Sequence, residues 1–266
     1  MKIMFRWAVL IAVILALVSF ASAQSPTIEK VEPPNWWANH SINPVRVMIR
    51  GSNLKGATVQ SNSKDLKTAN IKTSDNGHYL FADVTINKNA RVGKYNLKIQ
   101  TTNGTVNAPF EISAPIARQG HYQGFTPDDV IYFLMPDRFA DGDMANNDPA
   151  KSKGLYDRAK GRFYHGGDLQ GVINHLDYIK SLGATAIWTT PVYDNNDKPD
   201  YKEVYKDENG AEQPSTGYHG YGATDFYAID EHLGDMAKLR EFIEKAHAQG
   251  LKVIQDQIAN HTGPYH

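Results

Sequence analysis

The periodicity of apolar residues changes near residue 115, and this change constrains the fold of the chain more than any other feature. Before it, apolar and polar residues alternate from Val45 to Arg50, from Leu80 to Ile86 and from Tyr95 to Gln100. Period two with polar partners predicts half-buried antiparallel strands, and turn residues such as Asn103-Gly104 separate them. Residues 24–115 are therefore predicted to form a small immunoglobulin-like β-sandwich.

After a connector from Ser113 to Gln123, longer apolar runs alternate with helical spacing. The predicted elements are a strand at Val130–Met135, a helix from Leu169 to Ile179 ended by Gly183, a strand at Ala186–Trp188, a helix capped by Asp235 and ended by Gly250, and a strand at Lys252–Gln255. The order β-α-β-α-β predicts parallel strands joined by right-handed crossovers. From this pattern alone, a doubly wound sheet fits residues 116–266 as well as a barrel does.

The amino terminus has the order of a secretory signal peptide. Lys2 and Arg6 precede an uncharged apolar run from Trp7 to Phe20, and Ala21-Ser22-Ala23 offers a cleavage site after residue 23. The run is shorter than the ~20 residues that span a membrane, so no membrane partner is expected after cleavage. Removing residues 1–23 takes away two positive charges and moves the formal net charge from −1 to −3, which gives no reason to expect a nucleic acid partner.

The chain has no cysteine, which excludes disulfides and thiol catalysis. Export without disulfides predicts a periplasmic or secreted protein.

A short loop concentrates oxygen-bearing side chains around Gly142. They are Asp141, Asp143, Asn146, Asn147 and Asp148. Hard cations such as Ca²⁺ take six to eight oxygen ligands, which a compact loop can bring together. Ala145 and Ser152 stand where an EF-hand needs ligands, so this is not an EF-hand. The alternative is a solvated turn whose Asp and Asn side chains cap nearby amides.

Several tracts together resemble the neopullulanase and cyclomaltodextrinase branch of the α-amylase family of glycoside hydrolases. They are Glu32-Pro-Pro-Asn-Trp-Trp, Phe139-Ala-Asp-Gly-Asp, Phe163-Tyr-His-Gly-Gly-Asp-Leu, Gly217-Tyr-His-Gly-Tyr and the closing Asp256-Gln-Ile-Ala-Asn-His. The resemblance implies an amino-terminal β-sandwich over 24–115, followed over 116–266 by the first three strands of a TIM (β/α)₈ barrel.

The resemblance also implies one Ca²⁺ as cofactor. Its implied ligands are the side chains of Asp141, Asp143, Asn146, Asn147 and Asp168 and the carbonyl of Gly166. Asp148 is an alternative to Asn147, with the loop shifted by one residue.

For an α-glucan oligosaccharide substrate, the resemblance implies contacts from three residues. Tyr221 stacks beneath the sugar at the cleavage point, His219 lines the site, and His261 donates to sugar hydroxyls. Asp256 is expected to orient its neighbours rather than act as a nucleophile. Asn260 matches a calcium ligand of ordinary amylases, and in this branch it is expected to be structural.

No residue is assigned a catalytic role. Retaining glycosidases need a nucleophile and an acid/base carboxyl ~5 Å apart, and the resemblance places both beyond His266. The expectation is the amino-terminal part of an exported α-glucan hydrolase that acts with retention on cyclodextrin, pullulan or starch oligosaccharides, and that is inactive as this chain stands.

Two other functions remain open from the residues. The missing acids would also permit a non-catalytic glucan-binding or interaction module. A receptor with an immunoglobulin-like domain gives no reason for the oxygen-rich loop and ranks last. Trp36 and Trp37 are expected to be buried by packing against the barrel. The alternative is contact with sugar or a neighbouring subunit. In relatives this domain can cover a neighbour's active site, which implies a homodimer of the full-length enzyme.

Overall fold

The computed structural model describes residues 24–115 and 124–264. The chain divides into two compact units, Met1–Ile116 (unit 1) and Ala117–His266 (unit 2), and each is described by itself. The predicted signal peptide and most of the predicted connector lie outside the described residues. Within the described ranges, no helix has the length and apolar character needed to cross a membrane.

The described residues of unit 1 form eight strands. They are β1 (Thr27–Glu32), β2 (Asn35–Trp37), β3 (Val45–Ser52), β4 (Thr58–Ser61), β5 (Leu66–Thr73), β6 (Tyr79–Ile86), β7 (Gly93–Thr101) and β8 (Gly104–Ser113). One sheet has the order β1-β3-β6-β5 and the other β2-β8-β7-β4. All pairs are antiparallel except β2–β8, which is parallel.

The two sheets share one apolar core. Alternate residues of β3 and β6, such as Val47 and Leu80, are buried together with Leu97, Ile99 and Phe110 from the second sheet. Burying each such side chain stabilises the fold by ~1.5–3 kcal/mol, and period-two alternation delivers these residues to one face of each sheet. The predicted β-sandwich is confirmed.

Unit 2 mixes strands and helices. Its elements are β9 (Ile131–Leu134), α1 (Pro136–Phe139), α2 (Leu169–Asn174), α3 (Leu176–Ser181), β10 (Ala186–Thr189), β11 (Tyr193–Asn195), β12 (Asp200–Lys206), β13 (Glu212–Ser215), β14 (Ala223–Ile229), α4 (Met236–Ala248) and β15 (Lys252–Gln255). Strands β15, β10 and β9 form a parallel sheet in that order, with Ala186 opposite both Ile131 and Lys252. The pairs β11–β14 and β12–β13 form two small antiparallel ribbons.

The helices of unit 2 cover the sheet through a core that includes Leu134, Val172, Leu176, Ile187 and Phe242. The Asp235 side chain accepts a hydrogen bond from the Lys238 amide and caps α4, as predicted. The helix predicted from Leu169 to Ile179 is wrong in one respect: it breaks into α2 and α3. At the break His175 has φ −117°, and its Nδ1 bonds the Gly171 carbonyl.

Two features of unit 2 do not follow from the sequence pattern. After the Gly217-Tyr-His-Gly-Tyr tract, Ala223–Ile229 forms β14, which pairs with β11. The continuous apolar run at β9 is not buried throughout. In the described residues Phe133 is 52% exposed, and its neighbour Trp188 on β10 is 38% exposed, because only the face toward the helices is packed.

Candidate functional site

Polar residues gather where the three parallel strands end. Asp137 follows β9 and leads into the oxygen-rich loop, and Asp256 follows β15. The carboxyl ends of parallel strands lie at one edge of a sheet, which is where the active sites of α/β barrels are built. Asp137 is 2% exposed, and its Oδ1 accepts hydrogen bonds from the amides of His165 and Gly166.

Asp168 organises the oxygen-rich loop from within. It is fully buried, and its Oδ1 caps α2 by accepting from the Gly171 amide at 2.6 Å. The Gly142 amide also donates to Oδ1, while the Asp143 amide and Asn146 Nδ2 donate to Oδ2. Four donors hold the carboxylate in place, so the loop is anchored to the start of α2.

Glycines allow this anchoring. A Cβ on Gly142 would lie 2.3 Å from the Gly171 nitrogen, and a Cβ on Gly171 would lie 1.9 Å from the Ala140 oxygen. Such distances are far inside van der Waals contact, so the loop and α2 approach closely only because neither residue has a side chain.

Three oxygens of the loop are buried without a hydrogen-bond partner in the described residues. They are Asp141 Oδ1, Asn146 Oδ1 and Asn147 Oδ1. Leaving one buried polar atom unsatisfied costs about 1–3 kcal/mol, so three in one loop call for a ligand. Gly166 has φ +85°, and a Cβ there would lie 2.6 Å from Asn147 Oδ1, which places its backbone against the Asn147 side chain.

The remaining loop residues differ in their surroundings. The second oxygen of Asp141 accepts from Asn147 Nδ2 at 2.8 Å. Asp143 is exposed, and its Oδ1 caps a 3₁₀ turn by accepting from the Ala145 amide. Asp148 is exposed and its Oδ1 accepts from the Gly154 amide, so the geometry favours Asn147 over Asp148 as the inward residue.

The predicted sugar-contacting residues line one cleft. His219, Tyr221 and His261 border a space of about 360 Å³ in unit 2. Its other wall carries polar residues on and next to β12, which were not predicted: Asn196, Lys198, Asp200 and Glu203. Asn260 is exposed and is not among the described residues that line the cleft.

Tyr221 is held at both ends. Its hydroxyl donates to Asp256 Oδ2 at 2.9 Å, and Trp188 Nε1 donates to the same oxygen at 3.2 Å. Its amide donates to His219 Nδ1, and its carbonyl lies 2.9 Å from His261 Nε2. The ring itself is 37% exposed. Three contacts therefore fix the aromatic face of Tyr221 at the cleft, as a stacking platform requires.

Burial and neighbouring groups set the protonation of this cluster. Burial, together with the bond to Asp256, raises the pKa of Tyr221 above its ordinary value, so the hydroxyl stays protonated as a donor. Burial lowers the pKa of His219, which keeps its imidazole neutral near pH 7. A neutral imidazole whose Nδ1 accepts from Tyr221 carries its proton on Nε2.

A partly buried ionic network in unit 2 was missed by sequence reasoning. Lys151 Nζ lies 2.7 and 2.8 Å from the two oxygens of Asp194, 3.2 Å from Asp197 Oδ1 and 3.3 Å from Glu231 Oε2. Ser152 Oγ donates to Glu231 Oε1 and lies 3.0 Å from His232 Nε2. The partners are 43 to 80 positions apart, so no local spacing could reveal them.

Comparison with known proteins follows the division into two units. The family model described as the α-amylase catalytic domain matches residues 133–266, just over half of the chain. The model described as the cyclomaltodextrinase amino-terminal domain matches residues 30–115.

Individual relatives cover part of the chain. A β/α-amylase from Paenibacillus polymyxa is 39% identical over 162 residues, which is 61% of this chain and 11% of the relative. A cyclomaltodextrinase from Thermoanaerobacter pseudethanolicus is 37% identical over 139 residues, 52% of this chain and 21% of the relative. A solved cyclomaltodextrin glucanotransferase with a three-domain ABC distribution is 45% identical, with TM-score 0.46, over 51% of this chain and 26% of that one.

The chain thus spans between a tenth and about a fifth of the length of these two curated relatives. The α-amylase match begins within β9 and covers all later elements of unit 2, so the three parallel strands are part of an incomplete TIM (β/α)₈ barrel preceded by the β-sandwich. The chain belongs to the α-amylase family of glycoside hydrolases, with the amino-terminal domain of the cyclomaltodextrinases.

Proposed function

We propose that unit 2 forms the sugar-contacting part of an α-glucan site and that the chain is the amino-terminal part of an exported α-glucan hydrolase that acts with retention. One observation carries the proposal: His219, Tyr221 and His261, from two separate loops, line the same cleft. Relatives named cyclomaltodextrinase and neopullulanase 2 support cyclodextrin, pullulan or starch oligosaccharides as substrates.

The cleft offers partners for both the apolar C–H groups and the hydroxyls of a glucose unit. The exposed Tyr221 ring offers a flat apolar surface for sugar C–H groups, and the two histidines offer hydrogen bonds to hydroxyls. Asp256 already accepts two hydrogen bonds that hold Tyr221 and Trp188, so its role here is to position the platform. The two carboxyls that retaining cleavage requires are assigned to no described residue, so these residues bind and orient the glucan.

The oxygen-rich loop fits a Ca²⁺ ion. Its three buried oxygens without partners belong to the predicted ligand set, and all are hard donors of the kind that Ca²⁺ prefers. We propose that Asp141, Asp143, Asn146, Asn147, Asp168 and the Gly166 carbonyl hold it. The ion would supply positive charge that ties the loop after β9 to the segment before α2.

Calorimetric titration with maltohexaose tests the glucan site. The chain should bind it, Tyr221→Ala should weaken binding by at least about tenfold, and the control Tyr221→Phe, which keeps the stacking ring, should lose only a few-fold. Equal binding by Tyr221→Ala would refute the site. A reducing-sugar assay then separates the alternatives, because binding without hydrolysis by the whole natural protein favours a glucan-binding module.

Thermal unfolding in chelator and in Ca²⁺ tests the metal loop. Saturating Ca²⁺ at about 100 times its dissociation constant should stabilise unit 2 by about 2.7 kcal/mol, a shift of several degrees. Asn147→Ala should abolish the shift, while the matched control Asp148→Ala should keep it. A shift that survives Asn147→Ala and disappears in Asp148→Ala would reverse the ligand assignment.

Export and assembly belong to the same proposal. Cell fractionation should find the protein in the periplasm or the medium, and light scattering of the whole natural protein tests the expected homodimer.

A further inference from the structure

Arg138 lies between the oxygen-rich loop and the cleft, and neither predicted site includes it. Its Nε lies 2.8 Å from Asp137 Oδ2. Its Nη2 donates to the carbonyls of Gly161 and Phe163 at 3.1 and 2.7 Å, and its Nη1 lies 2.8 Å from His165 Nδ1. The planar guanidinium is thereby fixed against segment 161–166, the segment that ends at Gly166.

The same guanidinium packs on the cleft loop. Its Cζ lies 4.2 Å from the centre of the Tyr218 ring, well within the range of a cation–π contact. The Tyr218 ring meets His219 edge-on at 5.0 Å, and His219 is tilted against Tyr221 at 5.8 Å. A continuous row of planar groups therefore runs from Arg138 to the aromatic face in the cleft.

Backbone contacts reinforce this row. The Thr216 amide and hydroxyl both donate to the Arg162 carbonyl, at 3.0 and 3.1 Å. Segment 161–166 is therefore bonded to the cleft loop just before Tyr218. Arg138 contacts both segments beside that bond, at the Gly161 and Phe163 carbonyls and at the Tyr218 ring. Asp137 in turn holds the Gly166 amide, which links the row to the oxygen-rich loop.

We infer that Arg138 is a positioning residue for glucan binding: its guanidinium fixes the Tyr218–His219–Tyr221 row against segment 161–166. The inference rests on the proposed glucan site. It requires arginine in particular, because a lysine keeps the charge but lacks the planar fork that can reach two carbonyls, a carboxylate and a ring face together.

Maltohexaose titration of Arg138→Lys and Tyr218→Leu tests the inference. Each change should weaken binding about fivefold, the scale of one lost cation–π contact. The double variant should be no weaker than either single one, because both remove the same contact. Tyr218→Phe keeps a ring and should bind like the wild type.

Arg158→Lys is the matched control. Arg158 Nε also donates to segment 161–166, at the His165 carbonyl, so a general loosening of that segment would affect binding in this variant too. Equal weakening in Arg158→Lys, wild-type binding by Arg138→Lys, or additive effects in the double variant would overturn the inference. If Arg138→Lys fails to fold, wild-type binding by Tyr218→Leu overturns it.

A readout without sugar separates this inference from the proposed function. The His219 imidazole signals in a ¹H–¹⁵N spectrum should shift or broaden in Arg138→Lys and stay unchanged in Arg158→Lys. A wild-type chain that binds no maltohexaose refutes the proposed function, while unchanged His219 signals in Arg138→Lys refute the positioning role.

Discussion

Replacing Lys151 by methionine should destabilise unit 2 in a pH-dependent way. The ammonium lies within 3.3 Å of three carboxylates, of which Asp194 is 8% exposed. Methionine keeps most of the side-chain volume but leaves these acids facing each other. The substitution therefore removes the positive charge of Lys151 with little change in side-chain volume.

The magnitude follows from the mixed environment of the pair. Breaking a buried ion pair costs about 3–5 kcal/mol, whereas an exposed pair contributes at most about 1 kcal/mol. The Lys151 side chain is 49% exposed and that of Asp194 is 11% exposed. Solvent screening on the lysine side places the expected loss between the two limits, at about 2 kcal/mol near neutral pH.

The pH dependence has a definite sign. Burial raises the pKa of Asp194 to about 6 even beside Lys151, and removing the ammonium must raise it further. An acid with a raised pKa binds more protons in the folded state than in the unfolded state. Stability is then lost as pH rises from the ordinary Asp value through the folded pKa, so the penalty of Lys151→Met should be large at about pH 7.5 and shrink toward about pH 5.

Urea unfolding followed by circular dichroism at these two pH values measures the effect. Lys160→Met removes a solvent-exposed pair with Asp157 and should cost less than about 0.5 kcal/mol at either pH. Adding Asp194→Asn to Lys151→Met should restore part of the loss at the higher pH. A penalty for Lys151→Met that is equal at both pH values, or no larger than that of Lys160→Met, would refute the reasoning.

Three further predictions concern stability. Asp168→Asn should cost about 2 kcal/mol in urea unfolding, because an NH₂ group replaces one carboxylate oxygen and cannot accept from the two donors of that oxygen. Those donors are the Gly142 and Gly171 amides at Oδ1, or the Asp143 amide and Asn146 Nδ2 at Oδ2. A loss under about 0.5 kcal/mol would contradict this. Phe242→Ala should cost about 3–5 kcal/mol by thermal unfolding, because the ring is 1% exposed in the core of unit 2; a loss typical of surface residues would contradict this. Burial raises the pKa of Asp230 from 3.8 to about 7, so the free energy of unfolding should decline between about pH 4 and pH 7 as this carboxyl ionises. Asp230→Asn should remove that decline, which is worth roughly 4 kcal/mol at most. An unchanged pH profile of the free energy of unfolding would contradict this.

The predictable parts of the fold are those where burial follows a local period. Strand β15 occurs at Lys252–Gln255 as predicted, and β6 begins one residue before its predicted start at Leu80. The hairpin of β12 and β13 could not be predicted in this way, because most of its residues are exposed and leave no apolar period. The break between α2 and α3 depends on the His175 conformation, and helical spacing does not encode that conformation.

The candidate site also has a part that local sequence predicts and a part that it does not. The oxygen-rich loop could be predicted because most of its residues lie within eight positions, and the structure does bring them to Asp168 and Gly166. The three cleft residues came from the family resemblance and lie together. The Lys151 network and the Arg138 contacts join distant segments, so only tertiary structure reveals them.

The glycine pair at Gly142 and Gly171 has a consequence for how this protein can vary. A side chain on Gly142 would need the space of the Gly171 backbone, and a side chain on Gly171 would need the space of the Ala140 carbonyl. A saturation library should therefore find these two positions among the least tolerant in unit 2, although neither carries a functional group. Alanine at either one forces the loop and the helix apart. No compensating substitution restores the distance, because the nearest atoms that the new Cβ would meet belong to the backbone. The oxygen-rich loop should therefore accept only substitutions that leave the path of its backbone unchanged.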